Sequence, residues 1–269
     1  MSANACAGWT APDPGPLRPG KIVAIGLNYE LRRLVGTAGV AAADEARFRR
    51  DATEAEGLEG VPDAVVLPAS TDEVVAVVRW CYDREVAIVP RGGGSGFAGG
   101  CVPVDGGVVV DLQRMTRVRA FDPLLWRMQV EAGLRTSEVR RLARENGLLF
   151  PPDPGAAEQS QIGGNIATNA GGPHAFKYGV TGNWVTGIEA VVAPGEVLRV
   201  GGPLRKDVAG YDLASLLIGS EGTLGVVTAA WLRLTPAPAA AAAVVGAYPD
   251  PRTACSFASM ASRYRPTRT

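Results

Sequence analysis

Two glycine-rich segments constrain this chain more than any other feature of its sequence. Residues 90–100 read PRGGGSGFAGG, residues 162–172 read IGGNIATNAGG, and a further segment at 220–225 reads SEGTLG. Glycine lets a backbone turn tightly enough to point successive amides at one anion. A single glycine run is also compatible with a simple turn, but the three segments together predict a site for a large phosphate-bearing cofactor.

Composition indicates an ordinary globular protein. The 269 residues are 46% hydrophobic and 20% charged, and 27 basic residues balance 27 acidic ones. This length suffices for one large core or two small lobes. Zero net charge argues against nucleic acid or an anionic membrane as the main partner, because both attract surplus positive charge. The longest apolar stretch, residues 239–248, is too short to span a bilayer, so no membrane span is predicted.

The cysteines and the first residues predict a compartment. None of the four cysteines belongs to a C-x-x-C pair: Cys6, Cys81, Cys101 and Cys255. This spacing predicts no metal site and no disulfide framework, which favours a reducing intracellular compartment. The first residues also lack the charged start and apolar run of a signal peptide. We therefore expect a cytoplasmic protein.

Hydrophobic periodicity predicts an α+β fold. A buried strand at 64–67 is followed by a capping box at Ser70 and Glu73, which begins an amphipathic helix. The strand at 86–89 then leads into the first glycine segment, which gives a strand–helix–strand unit with parallel strands. Further predicted elements are strands at 108–112, 126–130 and 225–234, helices at 136–146 and 213–218, and a hairpin over 185–200.

These elements suggest three parts. Residues 1–30 are an unassigned leader in which 21–29 resembles a strand. Residues 31–236 form two lobes, about 31–112 and 113–236. The segment 237–269 shows no convincing element of its own.

The first glycine segment contains G-x-G-x-x-G at 94–99, but its context is not that of a Rossmann domain. There the fingerprint opens a helix, whereas residues 100–107, GCVPVDGG, predict none. A P-loop is excluded because no Lys-Ser or Lys-Thr follows the glycines. The remaining interpretation is a loop that donates its amides directly to phosphate oxygens. Ser95 can add a hydroxyl donor, and Arg91 is either a phosphate contact or a surface residue.

Seven motifs occur in order: PDAVVLPASTDEV at 62–74, PRGGGSG at 90–96, PPDPG at 151–155, IGGN at 162–165, KYG at 177–179, VAGYDL at 208–213 and GSEGTLG at 219–225. Over about residues 31–236 the chain thereby resembles the flavin domain of FAD-linked 2-hydroxy-acid oxidases, in particular the group that contains glycolate oxidase and D-lactate dehydrogenase. The resemblance implies a two-lobed FAD-binding domain of the vanillyl-alcohol-oxidase (PCMH) type. FAD would lie extended between two α+β subdomains.

The resemblance also implies which residues contact FAD. Those expected at the pyrophosphate are Arg91, Gly92, Gly93, Gly94, Ser95 and Gly96. Those expected near the ribityl chain and isoalloxazine are Pro152, Asp153, Gly163, Gly164, Asn165, Asn169, Gly171 and Gly172. Those expected toward the adenosine end are Glu221, Gly222 and Val227. For the two asparagines, side chains that only satisfy neighbouring backbone groups are an alternative.

Three residues bear on how FAD is held. Ala156 and Gln161 stand where similar proteins usually show Ser and Thr. Losing two hydroxyl contacts at roughly 1 kcal/mol each predicts weaker binding, not its abolition. The sole histidine, His174, lies outside the first glycine segment, where relatives with covalent flavin carry theirs, so noncovalent FAD is expected. His174 itself either approaches flavin or substrate or is a solvated loop residue.

The activity implied is that of an FAD-dependent oxidoreductase acting on the CH–OH group of a 2-hydroxy acid of the D-lactate or glycolate type. Hydride passes to the flavin while a base removes the hydroxyl proton. In similar enzymes the substrate-binding cap follows the FAD domain, so 237–269 is interpreted as the start of a truncated cap or as a disordered tail. The sequence identifies no catalytic residue. We expect dependence on the cap or on a partner protein that also supplies the electron acceptor. The alternatives are a non-catalytic flavin- or nucleotide-binding module and an inactive fragment.

Overall fold

A computed structural model of the protein describes residues 24–52, 57–204, 206–240 and 245–263. The chain divides into two compact units, one ending at Ala237 and the other beginning at Pro238. The first unit contains the predicted elements, and its helices and strands form two larger sheets and one short strand pair.

The first helix corrects a prediction. We expect a strand over 21–29, but residues 24–29 belong to helix α1, Ala24–Val35, while 21–23 lie outside the described residues. Leu27, Leu31 and Val35 are spaced four residues apart and are all buried in the main core. Residues with this spacing lie on one helix face, so tertiary burial decides against the local strand propensity.

The first sheet contains the strands that lead to the first glycine segment. Its strands are β1 (Val40–Ala41), β2 (Ala64–Val66), β3 (Ile88–Arg91) and β4 (Val108–Asp111), in the order β1-β2-β4-β3. Helix α2, Thr71–Asp83, connects β2 to β3. Both strands are parallel to β4, which lies between them, and β1 is antiparallel to β2. The predicted parallel unit is thus confirmed, with one strand inserted.

The second sheet comes from the second half of the unit. Its strands are β5 (Val118–Asp122), β6 (Arg127–Glu131), β8 (Val185–Val192), β9 (Glu196–Gly201) and β10 (Val226–Arg233), in the order β5-β6-β10-β8-β9. Every neighbouring pair is antiparallel, and β8 with β9 is the predicted hairpin. The other α-helices and strands described in the unit are α3 (Thr136–Glu145), β7 (Leu148–Leu149), α4 (Ile162–Ala167), α5 (Ala175–Tyr178), α6 (Leu213–Leu217) and β11 (Thr235–Pro236). Strand β5 was not among the predicted elements.

One apolar core joins the two sheets. Val108 and Val110 of β4 belong to the same buried cluster as Val130 of β6 and Ile188 of β8. The intervening residue of β4, Val109, belongs instead to a smaller cluster with Phe48, Val65 and Leu67. Since successive strand residues point to opposite faces, the first sheet is covered on both sides.

The second unit contains one described helix, α7 (Pro251–Arg263). The sequence predicts no convincing element here, so this helix is a difference from expectation. Within the unit, the rings of Tyr248 and Phe257 lie 5.4 Å apart between centroids. None of the helices in the described part of the chain is long and apolar enough to cross a membrane.

Helix α2 begins with the predicted cap. The Ser70 hydroxyl accepts a hydrogen bond from the Glu73 amide (3.2 Å), and the Glu73 carboxylate accepts one from the Ala69 amide (2.8 Å). This is a capping box whose second bond reaches one residue further back than usual.

Replacing Ser70 with alanine is expected to lower the free energy of unfolding by about 1 kcal/mol, because the Glu73 amide loses its acceptor. The Ser70→Asp variant retains an acceptor and should remain within about 0.5 kcal/mol of the wild type. Urea unfolding followed by circular dichroism measures both changes. Equal destabilisation by the two variants would contradict the capping role.

Candidate cofactor site

A cavity of about 810 Å³ lies where the two sheets meet α4. Its wall includes residues that follow the parallel strands β3 and β4, the residue after β6, and the start of β10. Ligands in sheets with parallel strands characteristically bind at the carboxyl ends of those strands. The volume also falls within the roughly 300–1,000 Å³ typical of small-molecule and cofactor sites.

The cavity brings together fourteen of the seventeen residues predicted to contact FAD. They are Arg91, Gly92, Gly93, Gly94, Ser95, Gly96, Gly163, Gly164, Asn165, Asn169, Gly171, Glu221, Gly222 and Val227. The three predicted residues that do not line it are Pro152, Asp153 and Gly172. The fourteen lining residues come together only in the folded unit, because the three segments that contain them are far apart in the sequence.

The first glycine segment forms an irregular loop, as predicted. No helix follows its G-x-G-x-x-G fingerprint before β4 begins at Val108, so the Rossmann interpretation is excluded by the structure as well. A Cβ atom on Gly92 would lie 3.3 Å from the Cα of Gly164 in the second glycine segment. The two segments therefore touch through their main chains.

The second glycine segment differs from expectation. We predict a loop over 162–172, but residues 162–167 form helix α4. The Gly163 amide donates to the carbonyl of Ala132 (2.7 Å), and a Cβ on Gly163 would lie 2.8 Å from the Ala132 side chain. Glycine lowers helix propensity, which hides the helix in the sequence, but it allows α4 to pack directly against the end of β6.

Arg91 is buried, with 7% of its surface exposed, so the surface alternative is wrong. Its guanidinium donates to the carbonyl of Arg50 (2.9 Å) and to the carbonyl of Cys101 (3.3 Å). A Cβ on Gly94 would lie 2.7 Å from the Arg91 Cζ, and the φ of Gly94 is +65°. Arg91 thus supports the loop from one side through its guanidinium. Its contact with phosphate remains a prediction.

The two asparagines of the second segment have different roles within the protein. The buried Asn165 donates through Nδ2 to the hydroxyl of Thr136 (2.6 Å), which is also paired with Ser160 (2.7 Å). Asn169 accepts from the Gly182 amide (2.9 Å), which is the backbone-satisfying alternative. Both residues line the cavity, so these bonds also fix parts of its wall.

The third segment closes the wall between the other two. The Glu221 amide donates to the carbonyl of Ala167 at the end of α4 (2.8 Å). A Cβ on Gly222 would lie 2.9 Å from the ring of Pro90 in β3. Of the predicted adenosine-end residues, Glu221 thus contacts the second glycine segment and Gly222 contacts the first.

Asp153 and His174 form a pair beside the cavity. The Nδ1 atom of His174 lies 2.8 Å from the Asp153 carboxylate, which also accepts the His174 amide (3.1 Å). The His174 side chain is 55% exposed and does not line the cavity.

Among the described residues, no group of His, Cys, Asp and Glu is arranged to hold a metal ion.

The two departures from the family pattern, Ala156 and Gln161, both line the cavity. Gln161 is 8% exposed, and its Oε1 atom is buried without a hydrogen-bond partner among the described residues. A buried acceptor of this kind is expected to be satisfied by an internal water. The wall lined by Gly92, Gly93 and Gly94 leaves the main chain bare toward the cavity, so the residues present fit a polar cofactor.

Comparison with known proteins identifies that cofactor. Residues 62–201 match the FAD binding domain family. Glycolate oxidase subunit GlcD of Bacillus subtilis is 44% identical over 180 residues, which cover 67% of this chain and 38% of that protein. D-2-hydroxyglutarate dehydrogenase of Xanthomonas citri pv. viticola is 46% identical over 177 residues, which cover 66% of this chain and 38% of that protein. The chain thus matches well under half the length of these relatives.

A solved structure, alkyldihydroxyacetonephosphate synthase, superposes with a TM-score of 0.70 at 26% identity and covers 83% of this chain and 42% of that one. The predicted α+β fold of the vanillyl-alcohol-oxidase type is thereby confirmed, and so is FAD as the cofactor. The chain belongs to the FAD binding domain family.

Proposed function

We propose that this chain is the FAD-binding part of an oxidoreductase that oxidises a 2-hydroxy acid of the D-lactate or glycolate type. The observation that supports this most is the convergence of three glycine segments on one cavity in a chain of this family. Relatives named glycolate oxidase, D-lactate dehydrogenase and D-2-hydroxyglutarate dehydrogenase supply the substrate class. FAD, when bound, supplies the acceptor for the hydride of the substrate's α-carbon.

The chain's own residues bind and orient the cofactor in this proposal. The amides of Gly92–Gly96 donate to the diphosphate, with Arg91 supporting the loop. The wall formed by α4 and the following residues holds the flavin side, and residues 221–227 hold the adenosine side. The cavity wall contains no histidine within the described part of the chain, which agrees with noncovalent binding.

Substrate oxidation also needs a base for the hydroxyl proton and a cation for the carboxylate. Among the described residues that line the cavity, Arg91 is the only cation, and its guanidinium is bonded to Arg50 and Cys101. The base and the carboxylate-binding group therefore come, in this proposal, from a cap domain or a partner protein. The same observation favours the second candidate, a flavin-binding module without turnover of its own.

Anaerobic titration of the FAD-loaded protein tests the proposal. D-Lactate, glycolate or D-2-hydroxyglutarate is expected to bleach the flavin absorption band, either with this chain alone or after addition of a cap domain or partner protein. Propionate, which lacks the hydroxyl group, is the matched control and should leave the band unchanged. Acid precipitation should release all of the flavin into solution.

Two results would contradict parts of this proposal. Bound FAD that no 2-hydroxy acid reduces, with or without co-expressed partners, would exclude the oxidoreductase and leave the binding module. Flavin that stays with the acid-precipitated protein would contradict noncovalent attachment.

A further inference from the structure

Thr71, Arg119 and Glu189 form a polar cluster, which we call the Thr71 cluster. The Thr71 hydroxyl donates to the Glu189 carboxylate (2.8 Å), and Arg119 donates both to that carboxylate (2.9 Å) and to the Thr71 hydroxyl (3.2 Å). Glu189 is buried, while Thr71 and Arg119 are half-buried. The three side chains thus bond pairwise at a place with little access to water.

The Thr71 cluster connects the two sheets. Thr71 is the first residue of α2, the helix that leads from β2 to β3 in the first sheet. Arg119 lies in β5 and Glu189 in β8, which are both strands of the second sheet. A further bond from α2 to the second sheet, between Arg79 and the carbonyl of Gly195, is longer (3.3 Å). The bond of the Thr71 hydroxyl is therefore the shorter of these two directional contacts across the junction.

Both sides of this junction carry walls of the cofactor cavity. The first glycine segment, at which the FAD diphosphate is expected, continues from β3. The second sheet contributes Val226 and Val227 of β10. The next residue of β10, Thr228, donates through its hydroxyl to the Glu189 carboxylate (3.0 Å). The Thr71 cluster is therefore bonded to the strand that forms the wall at which the adenosine end of FAD is expected.

Directional contacts at the junction fix how the two walls face each other more narrowly than apolar burial does. Hydrophobic burial is non-directional, whereas a hydrogen bond weakens steeply when its angle or length departs from the favourable range. Loss of the Thr71 hydroxyl would leave the Arg119–Glu189 ion pair in place, so the second sheet would keep its own network. Only the directional contact with α2 would be lost.

We propose that Thr71 is a positioning residue for FAD: through Glu189 it sets the spacing between the cavity wall that follows β3 and the wall formed by β10. A small offset between these walls misaligns the donors of one wall with a cofactor that must contact both. Thr71 itself does not line the cavity. The inference rests on FAD binding in this cavity, which the proposed function assumes, and not on turnover of a 2-hydroxy acid.

Equilibrium binding of FAD to the cofactor-free chain tests this role. Thr71→Val replaces the hydroxyl with a methyl group and is expected to raise the dissociation constant about tenfold, which corresponds to the loss of roughly one well-aligned hydrogen bond. Thr71→Ala should give the same result, which would exclude an effect of the β-branched side chain. Thr71→Ser restores the hydroxyl and should bind FAD as the wild type does. Quenching of flavin fluorescence at a temperature well below unfolding measures the four dissociation constants.

Ser70→Ala is the matched control for stability. It weakens the start of the same helix, but the Ser70 hydroxyl accepts from the Glu73 amide and takes no part in the Thr71 cluster. Affinity is measured on folded protein, so a residue that only stabilises the fold leaves the dissociation constant unchanged. Ser70→Ala should therefore bind FAD within about twofold of the wild type.

Wild-type affinity in folded Thr71→Val and Thr71→Ala would overturn the positioning role. An equal loss of affinity in Thr71→Ser or in Ser70→Ala would overturn it as well. A wild-type chain that binds no FAD would instead overturn the cofactor site on which the inference rests. A wild-type chain that binds FAD but is reduced by no 2-hydroxy acid would overturn the proposed oxidoreductase and leave the role of Thr71 in place.

Discussion

Replacing Gly93 with alanine is expected to destabilise the cofactor-free protein by about 3 kcal/mol and to weaken FAD binding at least about a hundredfold. A Cβ at this position would lie 2.9 Å from the carbonyl carbon of Gln159 and closer still to its oxygen. Both are main-chain atoms, so no rotamer change relieves the clash and the loop itself must move. That movement displaces the amides that are proposed to bind the diphosphate.

The same loop offers a control for the steric argument. A Cβ on Gly96 would have no atom within 4 Å apart from its chain neighbours, so Gly96→Ala should change the stability of the cofactor-free protein by less than about 0.5 kcal/mol. Urea unfolding of both variants without FAD measures the difference, and flavin fluorescence measures the affinity of Gly93→Ala. If the two variants unfold at the same urea concentration, the close contact between Gly93 and Gln159 is wrong.

Replacing Glu189 with glutamine should cost about 2 kcal/mol of stability at neutral pH. The side chain is 8% exposed, and its carboxylate is bonded to Arg119 (2.9 Å), Thr71 (2.8 Å) and Arg199 (2.9 Å). Arg119 keeps Glu131 as a second partner (3.3 Å) and the Arg199 side chain is 69% exposed, so the expected loss is smaller than the roughly 3–5 kcal/mol of a fully buried pair. The exposed pair of Glu138 and Arg141 on α3 is the matched control, and Glu138→Gln should cost less than about 0.5 kcal/mol.

The pH dependence of this effect has a definite sign. Burial disfavours the ionised form of Glu189, but hydrogen bonds from Thr71, Arg119 and Thr228 outweigh burial and lower its pKa to about 2. A depressed pKa adds stability above the unfolded-state value of 4.5 and loses it as pH falls toward about 2. The difference between wild type and Glu189→Gln should therefore shrink over this window in chemical denaturation at successive pH values. A difference that stays constant from pH 7 to about pH 3 would contradict the shifted pKa.

Local patterns in the sequence predict much of the fold. The cap at Ser70, the helix that ends before Gly147 and the hairpin of β8 and β9 each depend on neighbours within a few residues, and the structure confirms them. Helix α1 is different, because the apolar stretch at its start is compatible with a strand until Leu27 and Leu31 are buried by α2 and β2. No short window of sequence contains that information.

The candidate site also combines features that the sequence predicts with features that depend on the folded chain. The glycine segments predict the cavity, because glycine is visible in the sequence and its effect on the backbone is local. The bonding of Arg91 is not visible, because its acceptors are carbonyls of Arg50 and Cys101, and any residue can supply a carbonyl. The buried side-chain oxygen of Gln161 is likewise not visible in the sequence, because its lack of a hydrogen-bond partner among the described residues is a property of the folded chain.

The apolar core that runs from Val108 and Val110 into Val130 and Ile188 has a kinetic consequence for cofactor loading. Moving the two sheets apart would expose this buried apolar surface to water, at a free-energy cost of roughly 25 cal/mol for each Å². We therefore expect that FAD does not enter by separation of the sheets. The speed of reconstitution should instead follow small displacements at the rim near Phe97, which is 79% exposed, and should respond little to changes deep between the sheets.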